Sequence, residues 1–274
     1  MSRTTLTSAT TLYIAPPTGA VPSGWANGSD GNDGASQLAP FATRQAAWDY
    51  AQAQLDLAGQ SLTFQFCVGT YTDNFYATGI LLGGTTANVL FLGDTTTPDA
   101  VLIDAASSCF SATAGAQFTV DGLKLISGSG VCLGTTNNGI IAFNRLDFGQ
   151  GNGAHIWSGF GGKIIGNGYA YTISGGNQWH FKTDAWGQIL INPCTITLPA
   201  GYAWTIFCCM GTGYGCYKNL TFTGVGSGDG STGNQATVNE GGCCLVGGAG
   251  YNYFPGYPGA DSVTVDASTY SVYS

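Results

Sequence analysis

The sequence predicts an all-β protein, a right-handed single-stranded parallel β-helix (solenoid) with a helix-containing cap at its N-terminus. Two observations carry this prediction. Only 8% of the residues are charged and Glu240 is the one glutamate, so the chain lacks the residues that normally cover helix surfaces. After Gly59, short apolar segments alternate with Gly, Asn and Ser turns, in a repeat long enough for three strands and three turns.

The first part of the chain, residues 1–60, is predicted to be an N-terminal arm followed by a capping helix. Residues 11–40 are rich in Gly, Pro, Asn and Asp and have the composition of a loop. Thr43 is a suitable N-cap for an amphipathic helix over residues 43–57, which we expect to end at Gly59. Because a solenoid exposes strand edges and core at its ends, this helix is expected to cover the first coil.

The repeat is clearest in five segments of similar pattern. Their turn residues, spaced by 23, 23, 25 and 26 positions, are Asp121, Asn144, Asn167, Asn192 and Lys218. The positions two and four residues later are apolar and the position between them varies, which is the alternation of a strand with one buried face. We therefore expect two buried columns, formed by Leu123, Leu146, Tyr169, Cys194 and Leu220 and by Leu125, Phe148, Tyr171, Ile196 and Phe222.

A second set of segments keeps the same step and completes the coil. These segments are CFSA (109–112), VCLG (131–134), HIWS (155–158), WHFK (179–182) and WTIF (204–207). An antiparallel sandwich would also show frequent turns, but it gives no reason for this longer register. Residues 61–274 are thus predicted to be the β-helix, in one structural domain with the cap.

The C-terminal segment YNYFPGYPG, residues 251–259, is aromatic and carries no charge. It either caps the second end of the solenoid or packs against a partner subunit. For the second alternative the candidate interface residues are Tyr251, Tyr253, Phe254 and Tyr257.

The N-terminal motif resembles a known group of proteins. The segment 28–48 is similar to the cap of phage and prophage proteins of the pectate-lyase-like β-helix superfamily. The matching residues are Gly28, Asp30, Asn32, Asp33, Gly34, Pro40, Phe41 and Thr43. The segment VGTYTDNF (68–75) resembles the first coil of that superfamily, so the resemblance covers roughly residues 11–105. It implies the fold rather than one activity, because the superfamily contains lyases, hydrolases, epimerases and structural virion proteins.

Polysaccharide-cleaving β-helices place paired carboxylates on an outer groove. Asp147 is the weak catalytic candidate here, since the register stacks it on Lys124 with Arg145 on the same outer face. The alternative is an exposed ion-paired rung that contributes little to stability. This alternative is favoured because Asp147 has no carboxylate partner in register.

Candidate glycan-binding residues lie in the second set of segments. Trp157, Trp179 and His180 fall on neighbouring coils, with His155 one coil before His180. They form a sugar-binding aromatic face, a sparse metal pair or an ordinary turn or ladder position, and the last alternative is favoured. Asp30 and Asp33 fit Asx-type turns better than a calcium loop. With no phosphate loop, dinucleotide fingerprint or Ser/His/Asp arrangement in the sequence, we expect no metal and no cofactor.

The nine cysteines have no zinc-like spacing. Cys109 and Cys132 are expected to stack one coil apart in the core. The adjacent pairs Cys208-Cys209 and Cys243-Cys244 are candidates for disulfides with each other or with another chain, once the protein reaches an oxidising exterior.

Composition also bears on partners. A net charge of −8 with seven Lys and Arg argues against nucleic acid, and no apolar run has the length of a membrane span. The segment 1–15 does not resemble a secretory signal peptide, so synthesis in the host cytoplasm is expected.

The expected function is that of a structural virion protein on a particle surface: a capsid decoration, a head spike or a tail-associated β-helix. Its expected partners are other virion proteins of the capsid or tail, two further copies in a homotrimer, as the resemblance implies, and host surface polysaccharide. The alternative is a tailspike polysaccharide depolymerase, a hydrolase or lyase. A secreted lyase is disfavoured, since it would need an export signal.

Overall fold

The computed structural model describes residues 3–198, 203–224, 232–238, 241–247, 253–255, 263–265 and 272–273. The chain forms a solenoid of stacked, all-parallel coils with one helix near the N-terminus, which confirms the predicted fold class. The helix α1 spans Arg44–Gln54, and a short 3₁₀ turn spans Pro98–Ala100.

The strands are short, as the repeat predicts. The first nine are β1 (Thr4–Thr5), β2 (Thr10–Ile14), β3 (Leu55–Asp56), β4 (Leu62–Phe66), β5 (Gly69–Tyr71), β6 (Tyr76–Thr78), β7 (Val89–Leu92), β8 (Val101–Ala105) and β9 (Phe110–Thr113). The next nine are β10 (Gln117–Asp121), β11 (Leu123–Ser127), β12 (Val131–Thr135), β13 (Ile140–Phe143), β14 (Leu146–Phe148), β15 (Ala154–Ser158), β16 (Lys163–Gly166), β17 (Tyr171–Ile173) and β18 (Asn177–Thr183). The last nine are β19 (Gln188–Ile191), β20 (Thr195–Thr197), β21 (Ala203–Met210), β22 (Tyr214–Cys216), β23 (Thr221–Thr223), β24 (Thr232–Val238), β25 (Cys243–Leu245), β26 (Val263–Val265) and β27 (Val272–Tyr273).

Three long sheets run along the solenoid, and most coils give one strand to each. The first sheet has ten strands, from β2 and β4 to β25 and β27; the second has seven, from β5 to β23; the third has eight, from β6 to β26. Every described pairing between neighbouring coils is parallel, as in Phe118↔Ile141 and Leu123↔Leu146. The core is the interior enclosed by the three sheets.

The N-terminal helix forms where predicted but is shorter. The Thr43 side chain accepts a hydrogen bond from the Ala46 N–H at 3.1 Å, which confirms Thr43 as the N-cap. The helix ends at Gln54 rather than at Gly59, because Leu55 and Asp56 turn extended and pair with Thr4 and Thr5. The buried face of the helix carries Trp48, which is fully buried among core phenylalanines.

The predicted register holds for two coils and then shifts by two residues. Leu125 pairs with Phe148, but Phe148 pairs with Ile173 and not with Tyr171, which pairs with Ile196. The turn after Asn167 contains extra residues, with Gly168 at a φ of +86°. Tyr169 therefore lies in the turn and is 49% exposed, so its predicted burial is wrong.

Most of the other predicted core positions of these columns are confirmed. Seven of them are buried: Leu123, Leu125, Leu146, Phe148, Tyr171, Ile196 and Leu220. The Asn turn is also supported, because the amide of Asn167 donates to Asn144 at 3.0 Å and the amide of Asn144 donates to Asp121 at 3.0 Å. Cys194 and Phe222 are half-buried at the edge of the core.

Two of the four candidate interface residues pack into the chain itself. Phe254 is 1% exposed and its ring lies 5.5 Å from that of Tyr217. The Tyr253 hydroxyl accepts from the Leu220 N–H at 2.6 Å and donates to the Tyr217 carbonyl. This corrects their assignment to a partner interface and favours the capping alternative, since both side chains are held against the core. Tyr251 and Tyr257 lie outside the described residues.

Candidate functional site

Four aromatic side chains lie on the outer surface of the third sheet and on the turn that follows it. We call this surface the aromatic face; it consists of Trp157, Phe160, Trp179 and Trp186. Phe160 is 61% exposed and Trp186 is 78% exposed, whereas Trp157 and Trp179 are half-buried. Large exposed aromatic groups that cluster in this way typically mark a binding surface.

A bend in strands β15 and β18 sets the positions of these aromatic groups. In β15 the neighbours His155 and Ile156 are both buried, and in β18 the neighbours His180 and Phe181 are both buried. Two successive inward residues interrupt the alternation of a flat strand, so each strand turns a corner of the solenoid there.

The side chains on either side of this corner face outward. The register pairs Trp157 with Lys182 and Ala154 with Trp179. The two indoles therefore lie on adjacent coils, one on each side of the bend.

Asp184 holds the polar part of the aromatic face together. Its Oδ2 accepts a hydrogen bond from Trp157 Nε1 at 2.9 Å and lies 3.3 Å from Lys182 Nζ. The Lys182 ammonium in turn lies 4.3 Å from the centre of the Trp179 ring, a cation–π contact. These contacts fix the orientation of both indoles before any ligand arrives, which reduces the ordering cost of binding.

Phe160 and Trp186 adopt a backbone conformation that does not suit bulky residues. Their φ angles are +48° and +61°, in the left-handed region that costs about 1–2 kcal/mol for a residue with a Cβ. The equivalent turn of the preceding coils carries smaller residues at positive φ, among them Gly115, Asn137 and Asn138. An exposed Trp in this conformation contributes little to folding, so the turn is a candidate functional feature.

Sequence reasoning missed these two residues. The signal was present, because SGFGG (158–162) and DAWGQ (184–188) each place one large aromatic residue among turn-forming residues. An apolar residue inside a turn motif cannot reach the core, and this excludes the packing role that such residues usually have.

His180 does not belong to the aromatic face. It is 1% exposed, as is His155, and both rings point into the core. This corrects the prediction of His180 as a glycan-binding residue and favours the ladder alternative. The cause is the corner described above, which turns residue 180 inward although Trp179 and Lys182 face outward.

The two histidines form a closed hydrogen-bonded chain with Tyr171. His155 Nε2 lies 2.9 Å from the Gly149 carbonyl, so this nitrogen must carry a proton and donate. Neutral His155 then accepts at Nδ1, and His180 Nδ1 donates to it across 3.0 Å. Neutral His180 accepts at Nε2 from the Tyr171 hydroxyl at 2.9 Å. With both rings neutral, every ring nitrogen and the Tyr171 hydroxyl proton have a hydrogen-bond partner.

Burial reinforces this neutral state. Burial lowers the pKa of His155 to about 4, and the hydrogen bond to Gly149 compensates only partly. Burial, and secondarily the neighbouring His155, lower the pKa of His180 well below its usual range. Burial also raises the pKa of the Tyr171 hydroxyl well above its usual range.

Asp147 is stacked on Lys124 as predicted, but it is buried rather than exposed. Its Oδ2 lies 2.9 Å from Lys124 Nζ, and the carboxylate accepts from Ser174 N–H at 3.1 Å and Ser174 Oγ at 2.7 Å. Burial raises the pKa of Asp147, and the hydrogen bonds from Ser174 and Lys124 oppose this.

A second carboxylate reaches the same lysine. Asp99, from the 3₁₀ turn, lies 3.4 Å from Lys124 Nζ and also raises the pKa of Asp147. No carboxylate pairs with Asp147 in the strand register, as expected. The carboxylate that shares Lys124 with it, that of Asp99, comes from a turn. Arg145 is not part of this group, since it pairs with Asp121 and its guanidinium covers the Tyr169 ring at 4.8 Å.

The cysteines, all of which lie in the described part of the chain, form no disulfide. Cys208 Sγ and Cys244 Sγ are 3.9 Å apart in the core, a contact between two thiols. Burial, followed by the neighbouring Cys244, raises the pKa of Cys208. Cys109 and Cys132 are both buried, and their thiols interact across adjacent coils as predicted.

The N-terminal aspartates are engaged by the backbone. Asp30 accepts from the N–H groups of Ala42 and Thr43 and from Thr43 Oγ1, at 2.9–3.0 Å, and Asp33 accepts from the Ala35 N–H at 3.0 Å. Within the described ranges, no three His, Cys, Asp or Glu side chains form a group that could hold a metal ion. The same part of the chain contains no helix with the length and apolar character of a membrane span.

Comparisons of this chain with protein families, with curated proteins and with solved structures found no match. The chain is a parallel β-solenoid. The aromatic face is therefore interpreted from its own geometry.

Proposed function

We propose that this chain is a structural surface protein of a bacteriophage or phage-like particle, and that its aromatic face contacts host glycans. One observation carries the glycan contact: Phe160 and Trp186 are exposed on adjacent coils in a backbone conformation that folding does not favour. Aromatic rings with a free face, beside a few fixed polar groups, are typical of small-ligand and sugar sites. Asp184 and Lys182 supply the polar groups.

The particle assignment rests on different support. The cap motif resembles phage and prophage members of the pectate-lyase-like superfamily, and the fold is the one that this resemblance implies. A rigid solenoid with few charges also suits a protein that is packed into a capsid or tail assembly as a homotrimer and displayed on the virion surface. We propose other virion proteins as its assembly partners.

Glycan binding is tested with the purified chain on an array of neutral and acidic host oligosaccharides. Wild-type protein is expected to bind at least one class, and Trp186→Ala and Phe160→Ala are expected to lose at least tenfold in affinity. Tyr169→Ala is the matched control, because Tyr169 is also an exposed turn aromatic but lies in a different turn. Equal loss in the control, or no binding by wild type, would reject the aromatic face as a glycan site.

The location is tested separately by labelling the chain with a specific antibody on purified particles and imaging them. Label on heads or tails of intact particles is expected. Absence of the chain from particles that otherwise assemble would overturn the virion assignment and leave the glycan test unaffected.

A tailspike depolymerase is the second candidate, and one observation favours it. Asp147 and Asp99 approach the same lysine, and the pKa of the buried Asp147 is raised, as an acid catalyst requires. Such an enzyme would release reducing or unsaturated sugar ends from host capsule, and Asp147→Asn would abolish the release. Asp104→Asn, at an exposed position of the same sheet, is the control. No release by wild type would reject this candidate.

We also propose that Cys208 and Cys244 form a disulfide bond when the particle is exposed to an oxidant such as a small-molecule disulfide. Each thiol would lose a proton, and the pair would transfer two electrons to the oxidant. The masses of tryptic peptides from unreduced protein test this, because trypsin cuts between the two cysteines at Lys218 and a disulfide would keep the two peptides joined. Alkylation of all nine thiols without reduction in oxidised particles would reject it.

A further inference from the structure

The buried histidines and the aromatic face share the same two strands. β15 carries His155 on its inner side and Trp157 on its outer side. β18 carries His180 on its inner side, with Trp179 and Lys182 outside. Any change that moves the histidines therefore moves the backbone that positions the indoles.

The chain through Tyr171, His180 and His155 cannot take up two protons without losing a hydrogen bond. A first proton on His155 Nδ1 requires His180 to change tautomer, so that it accepts at Nδ1 and donates from Nε2 to the Tyr171 oxygen, and the Tyr171 hydroxyl proton then loses its acceptor. A second proton sets two Nδ1–H donors against each other at 3.0 Å and adds a second charge to the core. A buried charge without a partner is among the costliest changes in a folded protein.

The groups that surround the two rings, as far as the structure describes them, are uncharged. The rings contact Phe148, Phe181 and Phe207. Cys132 precedes His155 in the same inward column, and Cys194 and Tyr253 lie near Tyr171. The carboxylate of Asp147 on β14 is engaged by Lys124 and Ser174. No neighbour in this set offsets an imidazolium.

We propose that the pair His155–His180 is an acid-sensitive latch beneath the aromatic face. In mildly acidic solution both rings take up protons, the corner formed by β15 and β18 opens, and the aromatic face releases its glycan. The release of a glycan rests on the proposed function; the opening of the corner does not.

The direction follows from the pKa shifts. In the unfolded or opened segment the histidines titrate near 6.5, whereas in the closed state the pKa of His155 is about 4 and that of His180 is also lowered. The closed state is therefore fully favoured above pH 6.5 and loses stability as the pH falls below it. Between pH 6.5 and pH 5 each histidine shifts the opening equilibrium by about 15-fold, so the pair shifts it by about 200-fold.

The conformational part is tested without any ligand. Amide hydrogen exchange of wild-type protein, corrected for the intrinsic pH dependence of exchange, is measured at about pH 7.5 and about pH 5. We expect β15 and β18 to lose at least about 100-fold in protection at the lower pH, reversibly, while β4, β7 and β10 keep theirs. Uniform protection across all these strands at both pH values would overturn the latch.

A variant removes the titration. His155→Phe/His180→Phe/Tyr171→Phe replaces the network by aromatic groups of similar size, as Phe207 already does one coil further on. It is expected to keep its protection at about pH 5. If this variant does not fold, the imidazole C–H resonances of wild type give the answer, because His155 and His180 are the two histidines of the chain. Titration near pH 6.5 in the closed state would overturn the latch.

Glycan binding provides the second arm. Wild type is expected to lose at least tenfold in affinity between about pH 7.5 and about pH 5, and the triple variant to lose less than threefold. Trp186→Ala separates the two ideas, because it should abolish binding and leave the pH-dependent exchange unchanged. If amide exchange depends on pH but the protein binds no glycan at any pH, the glycan function is rejected and the latch is retained.

Discussion

The core of this solenoid is built in two different ways at its two ends. Near the cap, Trp48 and the phenylalanines of the first coils pack ring against ring; Phe64 and Phe91 stack at 4.4 Å, and Phe91 meets Phe118 at 5.1 Å. In the middle, the same interior contains the hydrogen-bonded chain of Tyr171, His180 and His155. Both parts are equally buried, but the first depends on shape alone and the second on shape and protonation.

This difference indicates where the molecule is robust and where it is responsive. Apolar aromatic packing is indifferent to pH and tolerates small shifts of backbone, because dispersion contacts have no strict direction. A closed polar chain fails when one partner changes, since each buried atom left unpaired costs about 1–3 kcal/mol. The responsive part lies directly beneath the aromatic face.

The largest expected effect lies in the N-terminal core. Phe91→Ala removes a ring that contacts six other aromatic side chains and should lower the free energy of unfolding by about 3–5 kcal/mol. Denaturant unfolding at two pH values measures it, and the loss should be the same at both. If the loss of unfolding free energy were larger at low pH, the stability of the aromatic part of the core would depend on the protonation of the histidine part.

The second effect is smaller at neutral pH and, unlike the first, depends on pH. His180→Leu leaves the Tyr171 hydroxyl and His155 Nδ1 without partners and should destabilise the chain by about 2–3 kcal/mol. Because one titrating group is gone, the penalty relative to wild type should shrink as the pH falls from about 7 to about 5. Tyr171→Phe is the matched control, since it removes one hydrogen bond and no titrating histidine. A penalty that stays constant with pH would contradict the assigned protonation states.

The same contrast separates the structural features that the sequence predicts from those that it does not. The solenoid was predictable because a period of 23 to 26 residues with two apolar columns fits a three-stranded coil, and Leu125 and Phe148 pair as expected. The shift at Tyr169 was not predictable, because extra turn residues are compatible with either register. A strand period of two cannot place both Trp179 and Lys182 outside with His180 and Phe181 inside; the corner that does so arises from closure of the coil.

A third effect concerns the N-cap hydrogen bonds of the capping helix, which belong to neither part of the core. Thr43→Ala removes the acceptor for the Ala46 N–H and the hydroxyl that donates to Asp30 Oδ2, and should cost about 1 kcal/mol. Thermal unfolding compares it with Thr43→Ser, which keeps the hydroxyl and should behave like wild type. A loss as large in the serine variant would mean that the methyl group, rather than the cap hydrogen bond, stabilises this end.

The smallest effect on stability should come from the aromatic face, where function and folding separate most clearly. Lys182 and Asp184 are partly exposed, so their ion pair is screened by solvent and should contribute less than about 0.5 kcal/mol. Asp184→Asn keeps an oxygen that accepts from Trp157 Nε1, whereas Asp184→Leu removes it and releases the indole. We expect both variants to unfold within about 1 kcal/mol of wild type. Glycan affinity should be retained by Asp184→Asn and reduced at least fivefold in Asp184→Leu, because only the second loses the preorganised ring. Equal affinity in the two variants would mean that the orientation of Trp157 does not matter, and that binding depends on Phe160 and Trp186 alone.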